Sequence, residues 1–317
     1  MADNKSIATR DSYGAALLEL ADAGHDDIVV FDADLSASTR TSVFAKKYSE
    51  RFFDCGIAEC NMVGVAAGMS TFGYVPFVSS FAMFAAGRAF EQIRNSIGYP
   101  ELNVKIAATH GGLSVGEDGA SHQCCEDFAL MRTIPGMTII NPADAVEARA
   151  AVEAAINHVG PCYLRFGRLA VPVIYDKETY KFEIGKGITM ADGKDVTIIA
   201  TGIMVAMALE ARELLKADGI DARVINIHTI KPLDRELVLK AAAETGAVVT
   251  AEEHNIIGGL GSAVAEAVCE ALPVPVLRVG VEDTFGCSGK VPALLEKYGL
   301  TPANIAAKAK AAVALKK

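Results

Sequence analysis

Three observations in this sequence predict an α/β fold of two doubly wound domains. From Ile28 onward, apolar runs of strand length alternate with longer helix-patterned stretches, the mark of βα units on a parallel sheet. The 317 residues suffice for two ordinary domains, and 51% apolar with 22% charged residues supply well-packed cores. Between Arg168 and Lys194 the pattern loses its regularity, with a Pro, several charges and the turn-like Ala191-Asp192-Gly193. The expected organisation is a first domain over residues 1–167, a linker over 168–194 and a smaller second domain over 195–317.

In the first domain, strands are expected at residues 28–32, 75–79, 104–108, 137–140 and 162–166, with helices around 11–23, 61–71, 88–96 and 143–157. The second domain is expected to have strands at 196–200, 222–226, 247–251 and 274–279, with crossover helices at 204–217, 234–244 and 261–271. The turn Gly258-Gly259-Leu260-Gly261 lies late in the chain without the rest of a dinucleotide fingerprint, so it reads as a βα turn that can touch a subunit interface. No repeat or low-complexity segment interrupts this order.

A formal charge of -9 gives no general attraction to nucleic acid or to an anionic membrane, although it leaves room for a local basic pocket. The amino-terminal residues lack the apolar core of a signal peptide. The apolar runs at 62–69 and 198–209 are too short or too interrupted to span a bilayer, so a cytoplasmic protein is expected. Seven cysteines form an odd set without a CxxC pair, which points to reduced thiols packed as small apolar groups.

Two constellations carry chemistry. In the first, Glu59 stands just before a helix made almost wholly of small and apolar residues, where it is poorly solvated. Taken singly it reads as a helix amino-terminal carboxylate. In the second, residues 109–123, Thr109-His110-Gly111-Gly112-Leu113-Ser114-Val115-Gly116-Glu117-Asp118-Gly119-Ala120-Ser121-His122-Gln123, crowd two histidines and two carboxylates among glycines directly after a strand. The carboxyl ends of strands are where open α/β sheets bind ligands, and so long a polar connection usually has a function. His110 and His122 have no spacing like that of HExxH, and no metal ligand is assigned on this chain.

The segment GIAECNMVGVAAGM, followed in order by FVSSFAMFAAGRAFEQIR and THGGLSVGEDGASHQ, resembles the pyrimidine-binding domain of transketolase. The likeness runs from Ala8-Thr9-Arg10 to Tyr163-Leu164-Arg165-Phe166-Gly167-Arg168, and the remainder of the chain resembles that family's carboxy-terminal domain. The family holds the diphosphate of thiamine diphosphate on Mg²⁺ through a GDG motif and a downstream Asn, and this chain contains no GDG. The resemblance thus implies one chain of a split enzyme. A partner subunit of amino-terminal type, bearing GDG and the Asn, would supply the diphosphate and metal site, in an assembly of two copies of each chain.

By the same resemblance, Glu59 bonds the aminopyrimidine ring nitrogen, a role suited to a carboxyl kept from water and able to share a proton. Phe84 stacks on the pyrimidine, Phe81 lines the same pocket, and Gly87 stands where the family commonly has a tyrosine, leaving a space that Arg88 and Phe90 can fill. Alone, such an aromatic pair would more often be core. His110 and His122 bond the donor carbonyl or shuttle protons. Asp118 contacts the acceptor's C2 hydroxyl and Asp34 lies near the acceptor. Arg10, Ser38 and Arg168 grip its phosphate, a use that fits the guanidinium fork although each arginine alone reads as a surface ion pair. In many transketolases an Asp follows the first His, where this chain has Gly111.

The implied activity is transfer of a two-carbon ketol unit from a ketose phosphate to an aldose phosphate, as in the pentose phosphate pathway. A β-type subunit of a 2-oxo acid dehydrogenase has similar length and domain order, and deoxyxylulose phosphate synthase shares the motif style but normally carries both halves in one chain. A non-catalytic protein that kept only the fold is a further alternative, against which stands the presence of Glu59, His110, Asp118 and His122.

Overall fold

The computed structural model describes residues 5–316, so residues 1–4 and 317 of the predicted domains lie outside the described residues. Among the described residues there are fourteen strands: β1 (Ser6–Ala8), β2 (Ile28–Asp32), β3 (Phe52–Asp54), β4 (Val75–Ser79), β5 (Lys105–Thr109), β6 (Thr138–Ile140), β7 (Cys162–Phe166), β8 (Ala170–Pro172), β9 (Ile188–Ala191), β10 (Val196–Ala200), β11 (Ala222–Asn226), β12 (Thr229–Lys231), β13 (Val248–Asn255) and β14 (Val276–Val281). Seven make a first sheet in the order β12-β6-β7-β5-β4-β2-β3, parallel except for β12. Five make a second, β14-β13-β10-β11-β9, parallel except for β9. β1 and β8 pair as an antiparallel ribbon.

Strand runs such as Ile28-Val29-Val30-Phe31 are apolar at every position because both faces of the sheet are covered. Val29, Phe31 and Val78 enter one apolar cluster while Ile28, Val30 and Phe77 enter another, as the alternation of side chains along a strand requires. Ile198 and Ile199 divide the second sheet in the same way. Some helices begin at side-chain caps: Asp144 accepts from Glu147 N before helix Ala145–Asn157, and Asp234 accepts from Leu237 N before helix Arg235–Thr245.

The expected linker is more structured than its composition suggests. It contributes β8 to the ribbon and β9 to the second sheet, so that sheet begins at Ile188 rather than after residue 194. Between them the hydroxyl of Tyr180 donates to Glu147 Oε1 at 2.5 Å, and Asn226 Nδ2 donates to Tyr175 Oη at 2.8 Å, tying the segment to both domains. β12 returns from the second half of the chain to pair with β6 of the first sheet. The helix expected at 88–96 forms instead as π-helical turns at Met83–Arg88 and Ile93–Gly98 around a short α-turn, a geometry common near functional sites.

Candidate active site

The chain leaves β2, β4, β5 and β7 at their carboxyl ends directly into the segments bearing Asp34, Phe81, His110 and Arg168. The fold thus gathers residues that lie far apart in sequence.

Glu59 opens helix Glu59–Ser70 and is 1% exposed. Arg88 Nη1 donates to its Oε2 at 2.8 Å, and Ser80 Oγ stands 3.5 Å from Oε1. A buried carboxylate needs such a partner, and Arg88, half exposed, can turn toward solvent when another donor arrives. The Arg88 guanidinium also lies 4.9 Å from the centre of the Phe84 ring. The rings of Phe81 and Phe84 are within 14° of parallel at 6.1 Å, and His122 meets Phe84 edge-on at 5.3 Å. Phe90 packs instead against the core of the first sheet, which leaves Arg88 as the group over Phe84. A Cβ on Gly87 would meet only the flexible end of Met83.

His110 stacks on Phe81 with 3.8 Å between ring centres and adopts a left-handed φ of 60°. Its Nε2 is 2.9 Å from Arg10 Nη1 and its Nδ1 is 2.7 Å from Thr109 Oγ1. A guanidinium can only donate, so Nε2 accepts and the ring proton resides on Nδ1, donating to Thr109. Burial first, then the positive charge of Arg10 and of Arg168 and Arg40 beyond it, lowers its pKa to about 3 and keeps the ring neutral. His122, half-buried, shares a 3.0 Å contact between Nδ1 and Ser121 Oγ.

Arg10 also donates to the Ser38 carbonyl at 3.0 Å, while its Nε is buried without a partner. Burial, then Arg40, lowers the guanidinium's pKa. Arg168 Nη1 donates to Val115 O at 2.5 Å and meets Asp118 Oδ2 at 3.3 Å. Arg10 and Arg168 beside a neutral histidine are groups able to bond an anion, while Arg40 is paired with Asp11 at 2.6 Å. Ser38 offers Arg10 its carbonyl, and Asp34, exposed and left-handed, donates its backbone N–H to Asp54.

Two residues of this cluster escaped sequence reasoning. Arg40 adds charge. Asp32, fully buried at the end of β2, accepts from Leu35 N, Thr39 Oγ1 and Thr41 Oγ1 and so shapes the turn that presents Asp34 and Ser38; burial raises its pKa to about 6. An acid closing an apolar strand ahead of two threonines was the only available signal. Gly111 has a local cause: a Cβ there would lie 1.9 Å from Arg165 Nε, so no larger residue fits while that arginine stays in place. A groove of about 1220 Å³ between helices Thr9–Asp22 and Ala145–Asn157 contains none of these residues.

The chain matches the pyrimidine-binding domain of transketolase over residues 5–173 and the transketolase C-terminal domain over residues 185–305. It is 51% identical to a putative transketolase C-terminal section of Methanocaldococcus jannaschii, over 94% of this chain and 93% of that protein. It is 47% identical to a 6-deoxy-6-sulfo-D-fructose transketolase subunit of a Clostridium species, over 93% and 91%. The Homo sapiens transketolase is 41% identical over 93% of this chain, which spans only 47% of that protein. Among solved structures, a split gene transketolase described as an inactive β4 tetramer superimposes with a TM-score of 0.90 at 56% identity, covering 99% of this chain and 100% of that one.

Proposed function

Because this chain belongs to the transketolase family, we propose that it is the carboxy-terminal subunit of a two-chain transketolase, moving a two-carbon ketol unit from a ketose phosphate to an aldose phosphate. One observation carries this reading: a buried carboxylate, two near-parallel aromatic rings and several arginines lie close together, yet the 317 residues contain no GDG segment to hold a diphosphate and its Mg²⁺. The names of the relatives favour it over a 2-oxo acid dehydrogenase subunit. The inactive tetramer formed by the β chain of a relative supports the need for a partner.

The residues fit the pyrimidine end of thiamine diphosphate. Glu59 offers a buried carboxylate, its Oε1 held only by a 3.5 Å contact, and Phe81 and Phe84 present near-parallel rings. When bound, that cofactor supplies an electron sink for the carbanion that carries the ketol unit. Glu59 would share a proton with the ring nitrogen, with Arg88 displaced or retained as its second partner. His122 lies beside Phe84, where it can hold or pass a proton to a substrate oxygen. Arg10, with its unpartnered Nε, and Arg168 would take the acceptor's phosphate, and Asp118, released from Arg168, would accept from a sugar hydroxyl. His110 would hold Arg10 in place through Nε2, and donate to a substrate oxygen only after exchanging tautomers.

The diphosphate would rest on Mg²⁺ in a partner chain bearing GDG and a downstream Asn, two copies of each chain forming the cytoplasmic enzyme of pentose phosphate metabolism. Calorimetry with the purified chain, its partner and the mixture tests this. Tight, Mg²⁺-dependent binding of thiamine diphosphate is expected in the mixture alone. Equally tight binding to the isolated chain would overturn the split site.

A further inference from the structure

The loop that carries Asp118 and His122 belongs to the first domain but is built into the second. Leu113, fully buried, is part of the second domain's core together with Val281 and Leu295. Ser114 N donates to Glu253 Oε1 at 2.5 Å, although Glu253 lies near the end of β13 in the other domain. Gly112 has a φ of 80°, and a Cβ there would lie 2.4 Å from Glu253 Cδ, so backbone and carboxylate meet at closest approach. At the far end of the loop Gln123 Nε2 reaches three carbonyls, Leu113 at 3.3 Å, Gly116 at 3.2 Å and Cys287 at 3.0 Å, the last in the second domain. Arg165 links the same parts through Glu253 O and Cys124 O, each at 2.9 Å.

Asp118 and His122 therefore stand between two anchors that the second domain provides. The loop between them contains Gly116 and Gly119, both with positive φ, and such a segment loses its shape readily when its ends are released. We propose that the second domain is a positioning element of the site, with Glu253 and Gln123 as positioning residues that set where Asp118, His122 and the Val115 carbonyl bonded by Arg168 are held. Burial raises the pKa of Glu253, the charge of Arg165 opposing it. The catalytic part of this inference rests on the transketolase reading; the structural part does not.

The test has two arms. In the chain alone, hydrogen exchange of amides 112–123 is measured for wild type, Glu253→Ala, Glu253→Gln and Gln123→Met. Exchange there is expected to quicken at least about tenfold in Glu253→Ala and Gln123→Met, with β10 and β13 unchanged. Glu253→Gln, whose amide oxygen can still accept from Ser114, should restore protection. In the chain reconstituted with its partner, acceptor KM should rise about tenfold in Glu253→Ala while kcat falls less, again with rescue by Gln. Unchanged loop exchange overturns the inference, as does loosening spread over the whole second domain without rescue by Gln. A loosened loop with unchanged KM overturns the positioning role. If Glu253→Ala does not fold, Gln123→Met decides by the same criteria. A wild-type pair without turnover would sink the transketolase reading and leave the exchange result standing.

Discussion

Arg10→Met is the most informative single change in the cluster, because Arg10 touches both the histidine and the proposed phosphate position. The substitution keeps an unbranched side chain while deleting the donors to His110 Nε2 at 2.9 Å and to Ser38 O at 3.0 Å, and the buried Nε. A charge-assisted phosphate contact is worth about 1.5–3 kcal/mol, which is roughly 10- to 150-fold in kcat/KM for phosphorylated acceptors. Unphosphorylated acceptors should lose far less. His110 gives an independent readout in the chain alone. Its pKa, about 3, should rise once its foremost positive neighbour is gone, yet stay below the ordinary histidine value because burial is the larger cause. The assays are initial rates of the reconstituted pair with matched acceptors and an NMR titration of the imidazole Cε1 proton. Equal losses for both acceptor classes, together with an unmoved His110, would refute the assignment.

Glu59→Gln should leave the fold intact, since half-exposed Arg88 can turn to water, and should slow exchange of the cofactor's C2 proton at least ~100-fold in the reconstituted complex; NMR-detected exchange at the wild-type rate would remove Glu59 from the mechanism. Glu147 is fully buried and its pKa is raised to about 7 from 4.5, burial being the largest cause. Between those values the unfolded chain has lost the proton that the folded one retains, so this group's contribution to stability falls as pH rises from about 4.5 to about 7 and then levels. Urea midpoints for Glu147→Gln, compared with wild type across that window, should show the decline removed; parallel curves would argue against it. Gly111→Asp places an atom in the space of Arg165 and should destabilise the chain by more than about 2 kcal/mol, measured by denaturant unfolding, with an unchanged midpoint as the contrary result.

The central strands were legible because five-residue, largely apolar runs such as those of β2, β4 and β10 leave a clear pattern. β1, β3 and β8, three residues each, lack the apolar run Met137-Thr138-Ile139-Ile140 that marked the equally short β6, and β12 is decided by a partner strand from the other half of the chain. Residues 83–98 contain a helix-like sequence, but the π-helical turns there depend on tertiary packing. Motif order was enough to gather Glu59, Phe81, Phe84, His110 and His122, which the structure does bring together. It could not show Arg88 bonded to Glu59, 29 positions away, or Ser114 bonded to Glu253, 139 positions away, because pairs this distant impose no spacing. Arg165 stayed hidden for the same reason, its carbonyl partners at Cys124 and Glu253 lying 41 and 88 positions away, whereas Asp32 bonds only within its own turn, where no periodicity marks a carboxylate.

The most direct measurement is a titration of this chain, supplied with thiamine diphosphate, Mg²⁺, a ketose phosphate and an aldose phosphate, with a partner bearing GDG and a downstream Asn. No turnover is expected before the partner is added, and then a linear rise that saturates at equal amounts of the two chains. Turnover by this chain alone, at a rate the partner does not change, would contradict a site divided between two subunits.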